Sequence, residues 1–183
     1  MIPVTAEPSQ LTYSHTPNKY IMETIATYFS AEQDESMLFI GVGALALAAS
    51  AYFLLVLRKP FFNGTAITLS VVAALQMIVG ITIYQRSPLD TARVQQMVQS
   101  APQQIKTEEV PRMQKVILNF KIYLGVELSL LVLSIVVLLL SSPGAIIRGA
   151  AMGLAIQAVF TAVLDMAAMR RGDAYLAWLL SQP

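Results

Sequence analysis

The chain has 183 residues, of which 56% are hydrophobic and 13% charged, with a formal net charge of +1 and a mean hydropathy of +0.62. That composition is the one expected of a membrane protein. With no cysteine and a single histidine, His15, the chain is excluded from disulfide, thiolate, iron–sulfur, zinc–thiolate and histidine-cluster chemistry, and no cofactor or metal is expected.

A polar tail, residues 1–36, comes first and carries Pro3, Pro8, Pro17 and several acids. Because apolar sequence begins only near residue 37, a cleaved secretory signal is not expected. Within the tail, "TPNKYIMETIATYFSAEQDES" predicts a short amphipathic helix, with Thr16 as cap and Pro17 in its first turn. Tyr20, Ile21, Ile25, Tyr28 and Phe29 gather on one side, opposite Lys19, Glu23 and Thr27. Such a helix either lies in a membrane interface or packs against the loop between the second and third spans; the moment alone favours packing.

Four apolar blocks follow, at 37–57, 61–84, 122–140 and 145–169, each near the ~20 residues a helix needs to cross a ~30 Å hydrocarbon layer. They are apolar all round, which excludes the alternating strands of a membrane barrel. The expected fold is therefore an all-α integral membrane protein, a four-helix up-down bundle whose membrane domain occupies residues 37–171. The first block presents Gly41, Ala44, Ala48 and Ala51 on one face, suited to close helix packing. The second holds Gln76 near mid-membrane, with Gly80 one turn further. Asn63-Gly64-Thr65 matches a glycosylation sequon, a pattern too common to assign a role.

The connection over 86–121 opens with Ser87, Pro88 and Asp90 in the order expected of a helix start. A helix to about Gln99 is predicted, then a break at "SAPQQ". A second helix begins between Thr107 and Pro111, with Glu108 and Glu109 favouring its positive end and Arg112 within pairing distance, and continues into the third span. This helical hairpin lacks a glycine-rich phosphate cradle and a basic patch interleaved with aromatics, so no nucleotide or nucleic acid is expected as a partner.

The third block contains Glu127, with Tyr123 and Ser134 on its face. The fourth carries an unbroken i+4 ridge: Gly149, Gly153, Gln157, Thr161 and Asp165. Gly149 and Gly153 admit a neighbouring backbone, and the polar remainder is expected to face protein or water. Counted from the "SSPG" turn at ~1.5 Å per residue, Glu127 lies ~20 Å along its helix and Asp165 ~24–30 Å along its own. Beyond Gly172-Asp173, expected to form a bend, residues 172–183 place Tyr175 and Trp178 at headgroup level as an interfacial segment.

Two readings of the acids compete. In one, Asp165 forms a structural ion pair with Lys121 and Glu127 is polar glue for helix register. In the other, Glu127, Asp165, Gln76, Gln157 and Thr161 line a hydrated pathway that binds a cation or relays a proton. The second makes the chain a small homo-oligomeric ion channel or channel-like effector. The alternative is an accessory or inhibitory subunit that binds another membrane protein through its small-residue faces. Glu127 and Asp165 as an acid–base pair lack any accompanying nucleophile, metal set or cofactor motif, so the chain is not expected to be an enzyme. Nine of the twelve Lys and Arg residues fall on the side of both termini and the hairpin, which predicts a plasma (inner) membrane protein with cytoplasmic termini.

Overall fold

The computed structural model describes residues 16–140 and 144–182, and every element among them is helical. His15 and the side chains of Thr16 and Pro17 lie outside the described residues. Helix α1 spans Thr16–Tyr52 and ends in a π-helical turn, Phe53–Leu57; α2 spans Pro60–Ser100; a second π-helical turn, Ile105–Glu109, leads into α3, Val110–Leu139; α4 spans Ala145–Ser181. All four are long and apolar enough to cross a membrane.

The helices are longer than the apolar blocks within them. At ~1.5 Å per residue, the 37 residues of α1 extend ~55 Å, nearly twice a ~30 Å hydrocarbon layer. The excess gathers at one end, here called the hairpin end, where α2 and α3 are joined. The opposite, far end holds the α1–α2 connection and the start of α4.

Three expected boundaries are replaced by continuous helix. The separate amphipathic helix of the tail is the first half of α1, and its apolar side is covered: Ile25, Tyr28 and Phe29 are buried against Val94, Met97, Ile105, Val110, Met113, Tyr175 and Leu179. Ser87 and Pro88 do not start a helix, because α2 runs through them. Pro88 has no N–H for the Tyr84 carbonyl, toward which Gln33 on α1 instead points its Nε2, at 3.5 Å. Ser87 donates to Glu32 and to the Ile83 carbonyl. Gly172 makes no bend; it is buried within α4, and a Cβ there would meet Met113 and Ile117 at ordinary contact distance. Tyr175 accordingly stacks on Tyr28, with centroids 4.0 Å apart, in place of joining an interfacial belt.

The far-end turn from α1 into α2 depends on Arg58, whose φ of 48° is left-handed and whose N–H closes onto the Phe53 carbonyl at 3.1 Å. Pro60 then begins α2, where its missing N–H costs nothing.

The helices pack as a row in the order α1, α2, α4, α3. α1 packs along α2, α2 along α4, and α4 along α3; α1 adds a limited approach to α4, while the α3 backbone comes near neither α1 nor α2. The reason is the placement of small residues. On α1 it is Gly43, not Gly41, that faces α2, and a Cβ there would intrude on Met77. On the α2–α4 seam, a Cβ on Gly64 would enter the Ile146 carbonyl, one on Gly149 would enter the Phe61 carbonyl, and one on Gly153 would lie 2.8 Å from the Thr65 carbonyl. Where lipid supplies no hydrophobic drive between helices, such close backbone approach holds them together. Thr65, 4% exposed, also lies 2.9 Å from the Gly149 carbonyl, to which its hydroxyl donates, so Gly64 and Thr65 of the sequon are buried in this seam while Asn63 is half-buried.

Candidate functional site

The i+4 ridge of α4 does two jobs because it drifts. Each step of four residues turns ~40° about the helix axis, so a ridge facing α2 at Gly149 has moved ~120° by Thr161. Gly149 and Gly153 meet α2. Thr161 lies beside Glu127 of α3, while its hydroxyl donates along its own helix to the Gln157 carbonyl at 2.9 Å. One turn further, Asp165 is within electrostatic reach of Glu127 and of Glu35 on α1. The glycines are thus committed within the chain and not available as a face for a second copy.

Burial sharpens this arrangement. Gln157 is 2% exposed, with Nε2 enclosed and unpartnered among the described residues, and Gln76 is 5% exposed, with neither amide atom partnered among them. Glu127 is half-buried, and its Oε2 is enclosed without a hydrogen-bond donor among the described residues. Enclosed polar atoms of this kind are usually satisfied by a partner or by water. They run as a broken line from the hairpin side inward: Asp165, then Thr161 with Glu127, then Gln157. Beyond Gln157 the line ends at the Gly153–Thr65 contact.

The expected ion pair does not form. Lys121 is exposed, and among the described residues neither it nor Asp165 nor Glu127 takes part in a salt bridge. A long lysine stem at the edge of an apolar span carries its ammonium outward, because there it keeps its hydration. Of the other residues singled out in the sequence, Gly41, Ala44 and Ala48 are exposed on α1, and no atom comes within 4 Å of the place a Cβ on Gly41 would take. Tyr123 is exposed, whereas Ser134 is buried and donates to the Leu130 carbonyl.

A second polar assembly was not anticipated in full. At the hairpin end Glu32, Arg86, Asp90, Arg93, Glu109 and Arg112 form one chain of ion pairs joining α1, α2, the Ile105–Glu109 turn and α3. Its centre is Glu109, 0% exposed, with Arg93 at 2.9 Å and Arg112 at 2.6 Å; Arg112 also lies over the Phe29 ring. Beside it Arg171 of α4 pairs with Glu35 of α1. Glu109 and Arg112 at i,i+3 were the legible part of this signal; the partners on other helices were not. Among the described residues no group of three or more His, Asp or Glu is placed to hold a metal ion.

No protein-family model, no curated protein and no solved structure matches the chain.

Proposed function

We propose that the chain is a multi-pass membrane protein whose carboxylates Glu127 and Asp165 take up a proton or a cation from the hairpin side, and that it conducts ions as a homo-oligomer. The observation that carries this reading is the placing of two acids on adjacent helices, with Asp165 within electrostatic reach of Glu127 and, among the described residues, no salt bridge to either. Two like charges in apolar surroundings repel and lose hydration, and binding a proton or cation relieves both costs. Gln76 on α2, level with Asp165 by the Phe61–Gly149 and Thr65–Gly153 register, and then Thr161 and Gln157 on α4 supply the uncharged oxygens and amides along which such an ion or its waters are handed inward.

Access is one-sided within a single chain. The Gly64–Gly149–Gly153 seam brings α2 and α4 backbone to backbone at the far end and leaves no room for water between them. A complete path therefore requires a second copy, and the exposed faces of α1 and α3 are the surfaces on offer. With both termini and the hairpin in the cytoplasm of a plasma-membrane protein, the acids are reached from the cytoplasmic side. The test is ion flux through vesicles containing the purified chain, compared with Glu127→Gln and Asp165→Asn; flux that ignores both substitutions overturns the reading.

One observation favours an accessory or inhibitory subunit instead. α3 packs on α4 alone through its apolar part, where only 6% of its most apolar stretch is buried. Another membrane protein docking on α3, or on Gly41, Ala44 and Ala48, would complete the row. The particle mass in mild detergent separates the two: a defined homo-oligomer supports conduction, and a monomer supports the subunit.

A further inference from the structure

The far end of the molecule carries cations without acids. Residues 36–89 and 128–164 contain no Asp or Glu, yet Arg58, Lys59 and Arg148 lie there. Arg148 is exposed and, among the described residues, its side chain donates only to the Leu140 carbonyl, at 3.5 Å. Arg58 folds its Nε back onto the Leu55 carbonyl at 2.7 Å. Lys59 stands two residues before Phe61, whose carbonyl abuts Gly149, the neighbour of Arg148. Lys59 and Arg148 thus share one rim.

Arg148 also lines a cleft of about 480 Å³, whose other walls are Phe61 of α2, Leu138 of α3, and Ala145 and Met152 of α4. The cleft exists because α2 and α3 flank α4 without their backbones meeting. It is apolar along its walls and cationic at one residue, at the end of an apolar span. We infer that this cleft binds an anionic phospholipid, with an acyl chain against Phe61, Leu138 and Met152 and the phosphate on Arg148. A guanidinium presents two parallel donors to a phosphate, and Lys59 adds charge from the same rim. Basic pockets between membrane helices on the cytoplasmic side bind headgroups in this manner, and the same charge and apolar wall are offered here at the opposite end. The inference rests on the helices spanning a bilayer, and is independent of whether Glu127 and Asp165 take up ions.

The experiment uses the full chain, purified in mild detergent and stripped of lipid. Dioleoyl phosphatidylglycerol, dioleoyl phosphatidylcholine or inorganic phosphate is added, and thermal unfolding and lipid retained in native mass spectra are read. Phosphatidylglycerol is expected to raise the unfolding midpoint, and phosphatidylcholine and phosphate are not. Arg148→Gln should lower retained phosphatidylglycerol about fivefold, the contribution of one cation near a charged membrane surface. Arg148→Lys should keep part of it, and Lys121→Gln, at the other end of the span, all of it. Equal effects of the two lipids, an equal effect of phosphate alone, or full retention by both Arg148→Gln and Lys59→Gln would overturn the inference. So would an Arg148→Gln variant that changes particle mass and leaves lipid retention intact, since a second copy would then occupy the cleft.

Discussion

Arg112 holds the buried carboxylate of Glu109 through two nitrogens, Nη2 at 2.6 Å and Nε at 2.8 Å, while its guanidinium lies 5.7 Å from the centre of the Phe29 ring. One side chain thereby links the start of α3 to α1 and fastens the hairpin to the helices beside it. Removing one partner of a buried pair leaves the other charge without compensation, at a cost of about 3–5 kcal/mol. Arg112→Met leaves Glu109 with the more exposed Arg93 alone and is expected to lose less than that, about 1.5–3 kcal/mol, and Arg93→Met less again, because Arg112 keeps both its bonds to the acid. Thermal unfolding of both variants checks this; equal, small losses would contradict it.

The α2–α4 seam admits no added atom. Gly149→Ala would force its Cβ into the Phe61 carbonyl, so the helices must separate, and overpacking of this kind typically costs about 1–3 kcal/mol. Gly41→Ala, where the space is open, should change little. Gly153→Ile is expected to destabilise the single chain and not merely to dissociate an oligomer. A Gly153→Ile variant with wild-type unfolding and altered particle mass would contradict the intramolecular seam.

Tyr175 is 4% exposed and stacked between Tyr28 and Trp178, yet its hydroxyl has no partner among the described residues. Burying an unpartnered hydroxyl costs about 1–3 kcal/mol by protein mutational measures. Tyr175→Phe should therefore be neutral or stabilising, whereas Tyr175→Ala, which also removes the ring, should cost about 3–5 kcal/mol. A clear loss for Tyr175→Phe would mean that the hydroxyl finds a partner, such as an ordered water.

The parts of this structure legible in the sequence are those fixed by spacing within one helix. The four apolar blocks mark the four long helices, and the i+4 ridge of α4 identifies Gly149, Gly153, Gln157, Thr161 and Asp165 as inward-facing. What the ridge meets was not legible, because the ~40° drift per step turns its ends toward different neighbours. Continuity was also hidden. "SAEQDES" reads as a polar tail, but Glu32 and Glu35 are paired with Arg86 and Arg171, so polar sequence runs through the middle of α1. Pro88 reads as a helix start, a local preference that packing of α2 on α1 overrides. The proposed pair between Lys121 and Asp165 failed because depth along two helices says nothing of the direction in which a lysine leaves its own.

Orientation is open to direct measurement in a chain without native cysteine. Single cysteines at Gln99 and Ser181 are expected to react with an impermeant thiol reagent only when the cytoplasmic side is opened, and one at Lys59 to react from outside. Labelling of Gln99→Cys in intact cells would reverse the orientation and place the entrance to the acids on the other side.

The uptake of ions at Glu127 and Asp165 is tested most directly by flux through vesicles of purified protein. Glu127→Gln and Asp165→Asn keep side-chain size and remove charge, so the folded protein should persist while proton or cation flux falls at least about tenfold, the effect of some 1.4 kcal/mol on the barrier. Gln157→Leu should slow flux in the same direction by drying the inner part of the path. Wild-type vesicles that pass no ion at any voltage or pH, or a double Glu127→Gln, Asp165→Asn variant that conducts as wild type does, would contradict the account.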